Sequence, residues 1–492
     1  MNTKELIMAD TVELIVTKLS KKGDGIAFYQ DWEVYIPQVL LGEKLQVELG
    51  EPFVQGSARR PGKVVQILEP SVYRVSSYPC SKFGLCGGCQ YMHVNYQEQL
   101  RVKQADIAQA VNSAVNSAIN NSASSAGKNS AKLVNLSAED ISMEAVGAQN
   151  CRSKSIRYFA NDNELELIQG FYASRSHDLV AIESCCQEVD GFAPCASSLT
   201  KLLASMGVKA QDSRAGAIKT ESLAPFYVKA LQLRKADNEI MALLIVTSAI
   251  ADKHKSALKT WAQEQGLGSF YVGYNNQSGN SLYCEQVELI YGQELLVKNL
   301  LGLNYYFGPQ TFMQVNYEMT QKLYAEAIEH CYKHKAPENK ADEVALDLCC
   351  GVGTMTLALA QHFKQVIGVE IVDSAIELAQ KNAQLNNINN VSFIAADINK
   401  VLPSLLNSAQ RAKVKAVIAD PSRAGLGADC ARLIGKIPGP CAVSLIFCSL
   451  TALKRDLPIL LKAGFTITQV KGFDMFANTN HIETLVCLTK SK

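Results

Sequence analysis

The stretch Asp347-Leu-Cys-Cys-Gly-Val-Gly-Thr354 has the form of a tight turn between a strand and a helix. Gly351 and Gly353 let the backbone turn sharply and approach a ligand closely. From about residue 311 onward, apolar runs of strand length alternate with helical segments. The candidate strands cover 344–349, 365–370, 391–396, 414–419, 441–447, 465–471 and 484–488. This alternation predicts a C-terminal doubly wound, Rossmann-like α/β domain, in which ligands lie beyond the C-terminal strand ends.

Carboxylates at the first three strand ends favour an adenosine cofactor. Asp347 ends the first strand, Glu370 closes the second and Asp397 follows the third. A carboxylate in the second position can accept hydrogen bonds from both ribose hydroxyls, and Asp397 is placed to meet the adenine. A dinucleotide fingerprint would have a third glycine at position 356, where this chain has Thr356. The pattern favours S-adenosyl-L-methionine over NAD.

Three polar segments follow the later strands. They are Asp420-Pro-Ser-Arg-Ala-Gly425, the segment that begins at Cys448, and Asp474-Met-Phe-Ala-Asn-Thr-Asn-His-Ile-Glu483. Taken alone, Cys448 is more often a buried small hydrophobe, and Glu483 is more often an exposed acid that begins a strand. Their position at the ligand-binding edge favours chemistry, because a cysteine beside a methyl donor can activate an unreactive pyrimidine carbon.

A second cysteine-rich element is Cys80-x5-Cys86-x2-Cys89. Cys-x2-Cys pairs also bind zinc, but the unequal spacing suits an iron–sulfur cluster at least as well. The chain has fifteen cysteines, and it has no signal peptide or apolar stretch of membrane-spanning length. These features predict a cytoplasmic protein whose cysteines are reduced thiols, ligands or a nucleophile.

The length of 492 residues favours two or three domains. Short strands broken by turns predict a small OB-like β-barrel over residues 1–72. Residues 73–310 are interpreted as a central mixed domain and residues 311–492 as the catalytic domain. Within the central domain, 96–111 is a predicted helix, and the Asn/Ser/Ala-rich stretch 112–131 is a predicted flexible insertion without core-forming residues. The net charge of +1 gives no support for strong non-specific nucleic-acid binding.

Taken together, the motifs resemble those of the RNA uracil-C5 methyltransferases. The resemblance rests on the glycine turn, Gln314-Val-Asn316, Asp420–Gly425, the Cys448 segment and His481-Ile-Glu483. With the cysteine element and a TRAM-like stretch over 18–71, the chain is similar to the bacterial 23S rRNA type, which has a TRAM domain and a [4Fe–4S] cluster. This resemblance implies methylation of C5 of a specific uridine in 23S rRNA by a cytoplasmic monomer. One departure is Ser449-Leu450, where the family usually has Asn-Pro.

The resemblance also implies residue roles. Cys448 would be the nucleophile and Glu483 the base, with His481 as the next candidate base. The cofactor and substrate pocket would be lined by Gln314, Cys349, Thr354, Glu370, Asp397 and Asp420. A structural [4Fe–4S] cluster would be bound by Cys80, Cys86, Cys89 and Cys185, with Cys186 as the alternative fourth ligand.

One further structural expectation and two alternative functions complete the predictions. The helix over 96–111 is expected to pack against the catalytic domain. One alternative is that the chain acts as a tRNA uracil-C5 methyltransferase, a class that normally lacks the TRAM and cluster elements. The other is that it is a non-catalytic RNA-binding iron–sulfur protein.

Overall fold

The computed structural model describes residues 11–20, 23–54, 56–120, 135–211, 224–277, 279, 281–334, 343–407 and 411–491. The chain divides into two compact units. Unit 1 comprises Met1–Arg101, Tyr172–Asp178 and Asn478–Asn480, and unit 2 comprises Val102–Phe171, Leu179–Ala477 and His481–Lys492. Within the described ranges, no helix is both long and apolar enough to cross a membrane.

Unit 1 contains a six-stranded sheet. Its strands are Thr11–Ile15 (β1), Lys18–Leu19 (β2), Gly25–Tyr29 (β3), Trp32–Ile36 (β4), Lys44–Leu49 (β5) and Arg59–Glu69 (β6). They are ordered β1-β5-β6-β4-β3-β2, and only β4 and β6 pair in parallel. Alternate side chains such as Val34, Ile36, Leu45 and Val47 share one buried core, because successive side chains of a strand point to opposite faces.

A long helix, Tyr96–Asn120 (α1), follows. Its apolar side chains from Ile107 onward belong to the same buried core as residues of the C-terminal sheet. The structure corrects the first part of the predicted insertion 112–131, because residues 112–120 continue this helix. Ala114, Val115 and Ala118 are buried, and the Asn112 side chain exchanges two 2.9 Å hydrogen bonds with the Leu136 backbone. Residues 121–131 lie outside the described residues.

The end of α1 gives a first prediction, for stability. Val115→Asp should lower the free energy of unfolding by about 3 kcal/mol or more, because it places an unpaired carboxylate in the core. Asn116→Asp introduces the same charge one residue later, at an exposed position, and should stay within about 0.5 kcal/mol of the parent. Thermal or denaturant unfolding of the pair measures the difference. Equal stability of the two variants would mean that this part of α1 is not packed in the core.

The central part of the chain builds a second sheet. Its elements are Lys154–Asn161 (β8), Leu167–Tyr172 (β9), Leu179–Ala181 (β10), Phe192–Ser205 (α2), Lys209–Ala210 (β11), Tyr227–Ala236 (β12), Glu239–Val246 (β13), Asp252–Glu264 (α3), Ser269–Tyr274 (β14) and Gln286–Gly292 (β15); the short strand Ser142–Glu144 (β7) precedes them. The sheet order is β10-β9-β8-β12-β13-β14-β15, with β11 beside β12. A separate hairpin, Leu296–Leu300 (β16) and Leu303–Phe307 (β17), leads to the C-terminal part.

The C-terminal part, named below as the catalytic part after its predicted role, is an eight-stranded sheet covered by helices. Its strands are Val344–Leu348 (β18), Gln365–Glu370 (β19), Val391–Ala395 (β20), Val414–Ala419 (β21), Cys441–Phe447 (β22), Thr466–Phe473 (β23) and Glu483–Lys490 (β24), together with β7. Its helices are Tyr317–Lys333 (α4), Thr354–Leu359 (α5), Asp373–Leu385 (α6), Ile398–Leu405 (α7), Ala428–Gly435 (α8) and Leu450–Lys462 (α9). The order is β20-β19-β18-β21-β22-β24-β23-β7.

The strand directions position the site. The strands β18 to β22 run parallel to one another, whereas β24 is antiparallel to both β22 and β23. Two separate cores cover the sheet: α1, α8 and α9 contribute to one, and α4 and α5 to the other. The prediction of an α/β domain is therefore confirmed. Because β24 is antiparallel, its start lies at the same edge as the C-terminal ends of the parallel strands.

Candidate functional site

The glycine turn after β18 is held by a buried carboxyl group. The Asp347 side chain is fully buried, and its Oδ2 accepts a 2.6 Å hydrogen bond from the Thr356 hydroxyl, which fixes the strand end to α5. Burial raises the pKa of Asp347 to about 7. Cys349 has a φ of 67°, a left-handed backbone that is uncommon for a residue with a side chain and is concentrated at functional sites. The turn is therefore shaped for a ligand as well as for the chain reversal.

Glu370 and Asp397 stand at the ends of the next two strands. Glu370 accepts hydrogen bonds from the backbone N–H groups of Gly351 at 3.1 Å and Ile371 at 2.8 Å. Asp397 caps α7 by accepting a 2.9 Å hydrogen bond from Asn399 N. Both carboxylates are thus fixed in place at the ligand-binding edge, and Glu370 is joined directly to the glycine turn.

The strand register brings Cys448 and Glu483 together. Thr484 lies opposite Phe447 in the antiparallel pair β22–β24, so that Glu483, one residue earlier, lies beside Cys448, one residue later. The Cys448 thiol is half-buried and lies 3.9 Å from the carbonyl oxygen of Pro421. Burial, and then the carboxyl groups of Glu483 and Asp420, raise the pKa of Cys448 to about 11. The thiol form is favoured at neutral pH.

Asp420 is oriented by two donors. Gln314 Nε2 at 3.1 Å and the Tyr324 hydroxyl at 2.7 Å both donate to its Oδ2. Burial raises the pKa of Asp420, and these two hydrogen bonds oppose the rise. Glu483 is 2% exposed, and its Oε2 has no hydrogen-bond partner among the described residues. Burial and the nearby Asp420 raise the pKa of Glu483 well above its ordinary value, against the effect of Arg423.

A buried ion pair anchors the segment that leads to Glu483. The Lys103 ammonium, on α1, donates to Asp474 Oδ1 at 2.5 Å and to the Phe476 carbonyl at 3.3 Å. Both charged side chains are almost fully buried, so that loss of either partner leaves a costly unpaired charge. His481 lies 3.4 Å from Arg423 through Nε2, and burial lowers its pKa to about 4. His481 is therefore neutral at pH 7.

All eight predicted catalytic and cofactor-binding residues line one cavity of about 910 Å³ within unit 2. They are Gln314, Cys349, Thr354, Glu370, Asp397, Asp420, Cys448 and Glu483. This volume is within the range of small-molecule sites. A Cβ atom built on Gly351 would meet no atom of the described ranges within 4 Å, so the turn leaves space on its outer side. The cavity combines carboxylates and open space with the apolar side chains of Ile371, Val372 and Ile398. This combination fits a nucleoside with a charged tail.

Two residues that support the site could not be recognised from the sequence. Tyr324 lies on α4, where nothing in the helical pattern distinguishes it from a core tyrosine, and it holds Asp420. Lys103 lies 371 residues from Asp474, and no local motif marks it. By contrast, Ser449 has a clear local role: it caps α9 by accepting a 3.4 Å hydrogen bond from Ala452 N.

The predicted cluster ligands are divided between the two compact units. Cys80, Cys86 and Cys89 belong to unit 1 and Cys185 belongs to unit 2, and all four are half-buried. Among the described residues, no three or more His, Cys, Asp or Glu side chains form a group that could hold a metal ion. The side-chain geometry does not support the cluster prediction.

Known proteins resemble this chain over nearly its full length. An uncharacterized RNA methyltransferase of Clostridium tetani is 29% identical over 487 residues, which cover 97% of this chain and 96% of that protein. Another, of Halalkalibacterium halodurans, is 28% identical over 485 residues and covers 97% of both chains. The solved structure of Pyrococcus abyssi tRNA (uracil-54, C5)-methyltransferase with S-adenosyl-L-homocysteine is 20% identical, with a TM-score of 0.72 over 97% of this chain and 99% of that one. This last likeness shows a shared fold.

A family model provides the assignment. The model described as tRNA (Uracil-5-)-methyltransferase matches residues 189–491. The match includes every residue that lines the cavity and more than half of the 492 residues. The chain therefore belongs to the tRNA (uracil-5-)-methyltransferase family and is an S-adenosyl-L-methionine-dependent RNA uracil-C5 methyltransferase.

Proposed function

We propose that the protein methylates C5 of a specific uridine in 23S rRNA through a covalent bond between Cys448 and the base. The observation that carries the chemistry is the placement of Cys448 beside Glu483, in the cavity that also contains the glycine turn and Asp420. Glu370, Asp397, Thr354 and Cys349 would hold S-adenosyl-L-methionine. When bound there, this cofactor supplies an electrophilic methyl group.

Cys448 supplies the nucleophile. Uracil C5 is too weak a nucleophile to take a methyl group directly, and covalent addition replaces one difficult step by easier ones. The thiol proton leaves to a neighbouring carboxylate or to water, the sulfur bonds to uracil C6, and C5 becomes nucleophilic. After C5 has gained the methyl group, Glu483 removes the C5 proton and the C6–sulfur bond breaks. The released thiolate takes up one proton to regenerate the thiol, and the second proton passes to solvent.

The carboxyl groups have different tasks. Asp420 is already fixed by Gln314 and Tyr324, and Asp420 and Gln314 offer an acceptor and a donor for the polar edge of uracil. One oxygen of Glu483 has no hydrogen-bond partner in the part of the chain that the structure describes, and burial raises the pKa of this residue. A carboxylate of raised pKa is a stronger base once ionised. Glu483 is therefore suited to take a proton from carbon.

The choice of RNA rests on the resemblance to the 23S rRNA type. The Pyrococcus abyssi protein, which acts on uracil-54 of tRNA, shares the fold over 97% of this chain, so that the N-terminal region does not by itself separate the two substrates. tRNA is therefore the second candidate. The test is methylation by the purified protein of unmodified 23S rRNA and unmodified tRNA, each at equal concentration. We expect 5-methyluridine in 23S rRNA, and exclusive methylation of tRNA would overturn this part of the proposal.

The N-terminal sheet is proposed to be a TRAM-like RNA-binding module of a cytoplasmic monomer. Lys18 and Lys63 are exposed on this sheet, and the ammonium of Lys18 lies 5.2 Å from the centre of the Phe28 ring. Exposed basic side chains beside an exposed aromatic ring form a combination that binds single-stranded nucleic acid.

Iron content tests the cluster proposal, which is supported by cysteine spacing and resemblance alone. Protein purified without oxygen should contain about four iron atoms per chain. Cys185→Ser should lose the iron, whereas Cys186→Ser, at the adjacent residue, should retain it. Stoichiometric zinc without iron would refute the cluster, and iron loss only in the Cys186 variant would exchange the fourth ligand.

A further inference from the structure

We infer that Tyr283 is a base-stacking residue that receives a nucleotide adjoining the target uridine. The inference rests on the established action on RNA uracil and adds a specificity-determining residue outside the catalytic group. Tyr283 lines the same cavity as Cys448, yet its side chain is 66% exposed. An aromatic side chain that is exposed and also lines an RNA-modifying site is suited to stack on a nucleobase, because unstacked RNA bases are commonly received by aromatic rings.

The backbone of Tyr283 is held from one side by Asn275. The Asn275 side-chain amide donates to the carbonyl oxygens of Tyr283 at 2.6 Å and Ser281 at 3.1 Å. Asn275 is itself buried, and its Oδ1 accepts a 2.8 Å hydrogen bond from the Lys229 ammonium. A buried polar network therefore holds the backbone at Tyr283, while the side chain itself is exposed.

The residue after Tyr283, Cys284, is hydrogen-bonded to Gln310. The backbone N–H of Cys284 donates to Gln310 Oε1 at 2.9 Å, and Gln310 Nε2 donates to the Cys284 carbonyl at 2.8 Å. Gln310 begins the segment that carries Phe312, which is 69% exposed and also lines the cavity. The same segment then reaches Gln314, which donates to Asp420. The chain beside Tyr283 is thus connected through Gln310 to the segment that carries Phe312 and Gln314.

The chemistry of the substrate explains the need for such a ring. A base inside an RNA stack cannot reach the Cys448 sulfur, so the target uridine must be unstacked. Its neighbours then lose a stacking partner, and an aromatic side chain can replace it without reading the sequence. Tyr283 offers an exposed aromatic side chain on a backbone that is held by hydrogen bonds. An RNA nucleobase is therefore the occupant that this ring fits.

The test compares Tyr283→Ala with Tyr283→Phe, which retains the ring, and with Leu165→Ala, which removes another exposed apolar side chain outside the cavity lining. The RNA is the substrate that the wild-type protein methylates. Tyr283→Ala should raise the KM for RNA about tenfold, with unchanged affinity for S-adenosyl-L-methionine. The other two variants should behave as wild type. RNA with 2-aminopurine beside the target should be quenched by the wild type and Tyr283→Phe, and much less by Tyr283→Ala.

The outcomes are distinguishable. If the wild type methylates the RNA and Tyr283→Ala shows the same KM and the same quenching, the stacking inference is overturned. If Tyr283→Ala also loses affinity for the cofactor, the residue has a structural role instead, which likewise overturns it. If the wild type methylates neither 23S rRNA nor tRNA, the proposed choice of substrate fails separately.

Discussion

Cys448→Ala should reduce methylation by a factor of about 10⁴ or more, because it removes the sulfur that is proposed to bond to uracil C6. Binding of S-adenosyl-L-methionine should persist, since the glycine turn, Glu370 and Asp397 lie on other strand ends. Steady-state methyl transfer and equilibrium cofactor binding measure the two effects. Cys441→Ala is the matched control, because Cys441 is the buried cysteine at the opposite end of the same strand. Methylation at the wild-type rate by Cys448→Ala would remove this residue from the mechanism.

The surroundings of Cys448 also predict a pH dependence. Its pKa of about 11 means that the thiolate fraction, and with it the rate of alkylation by iodoacetamide, should rise about tenfold per pH unit from pH 7 to 10. Nearby carboxylates oppose ionisation of the thiol, so Glu483→Gln should lower this pKa and speed alkylation at pH 8. Peptide mapping after timed alkylation follows Cys448 separately from the other cysteines.

Glu483→Gln should trap a covalent protein–RNA adduct that carries the transferred methyl group. Addition to C6 and methyl transfer precede proton removal, so the variant completes them and stops before the C6–sulfur bond breaks. The adduct should survive denaturing electrophoresis and should be absent from the Cys448→Ala/Glu483→Gln double variant. Normal turnover by Glu483→Gln would assign the proton removal to another group. His481 is the first alternative, because it is neutral at pH 7 and can accept a proton.

Much of the catalytic part could be predicted because its signals are local. Buried parallel strands give continuous apolar runs, and the turns at their ends carry the functional side chains, so that Glu370, Asp397 and Asp420 could be assigned to one edge of one sheet. The glycine turn could also be predicted from the sequence, because its backbone conformation requires particular residues. These local features account for the strand positions of the C-terminal domain and for the composition of the cavity.

The features that could not be predicted depend on contacts between segments that are far apart in the sequence. Antiparallel pairing of β24 with β22, which puts Glu483 beside Cys448, joins segments separated by a helix and another strand. The edge strand β7 comes from a region about 330 residues before its partner β23. The end of α1 was misread because its Asn/Ser/Ala composition resembles a linker, while the few residues that matter, Ala114, Val115 and Ala118, all face the core. Small side chains give only a weak hydrophobic pattern in the sequence, even where they pack closely in the core.

The most direct test of the central claim is nucleoside analysis of RNA treated with the purified protein and S-adenosyl-L-methionine that carries a labelled methyl group. After digestion of the RNA, mass spectrometry should find the label in 5-methyluridine, and the amount should fall to background with Cys448→Ala. A label on a ribose hydroxyl or on cytosine, or labelled 5-methyluridine formed equally well without Cys448, would contradict the account.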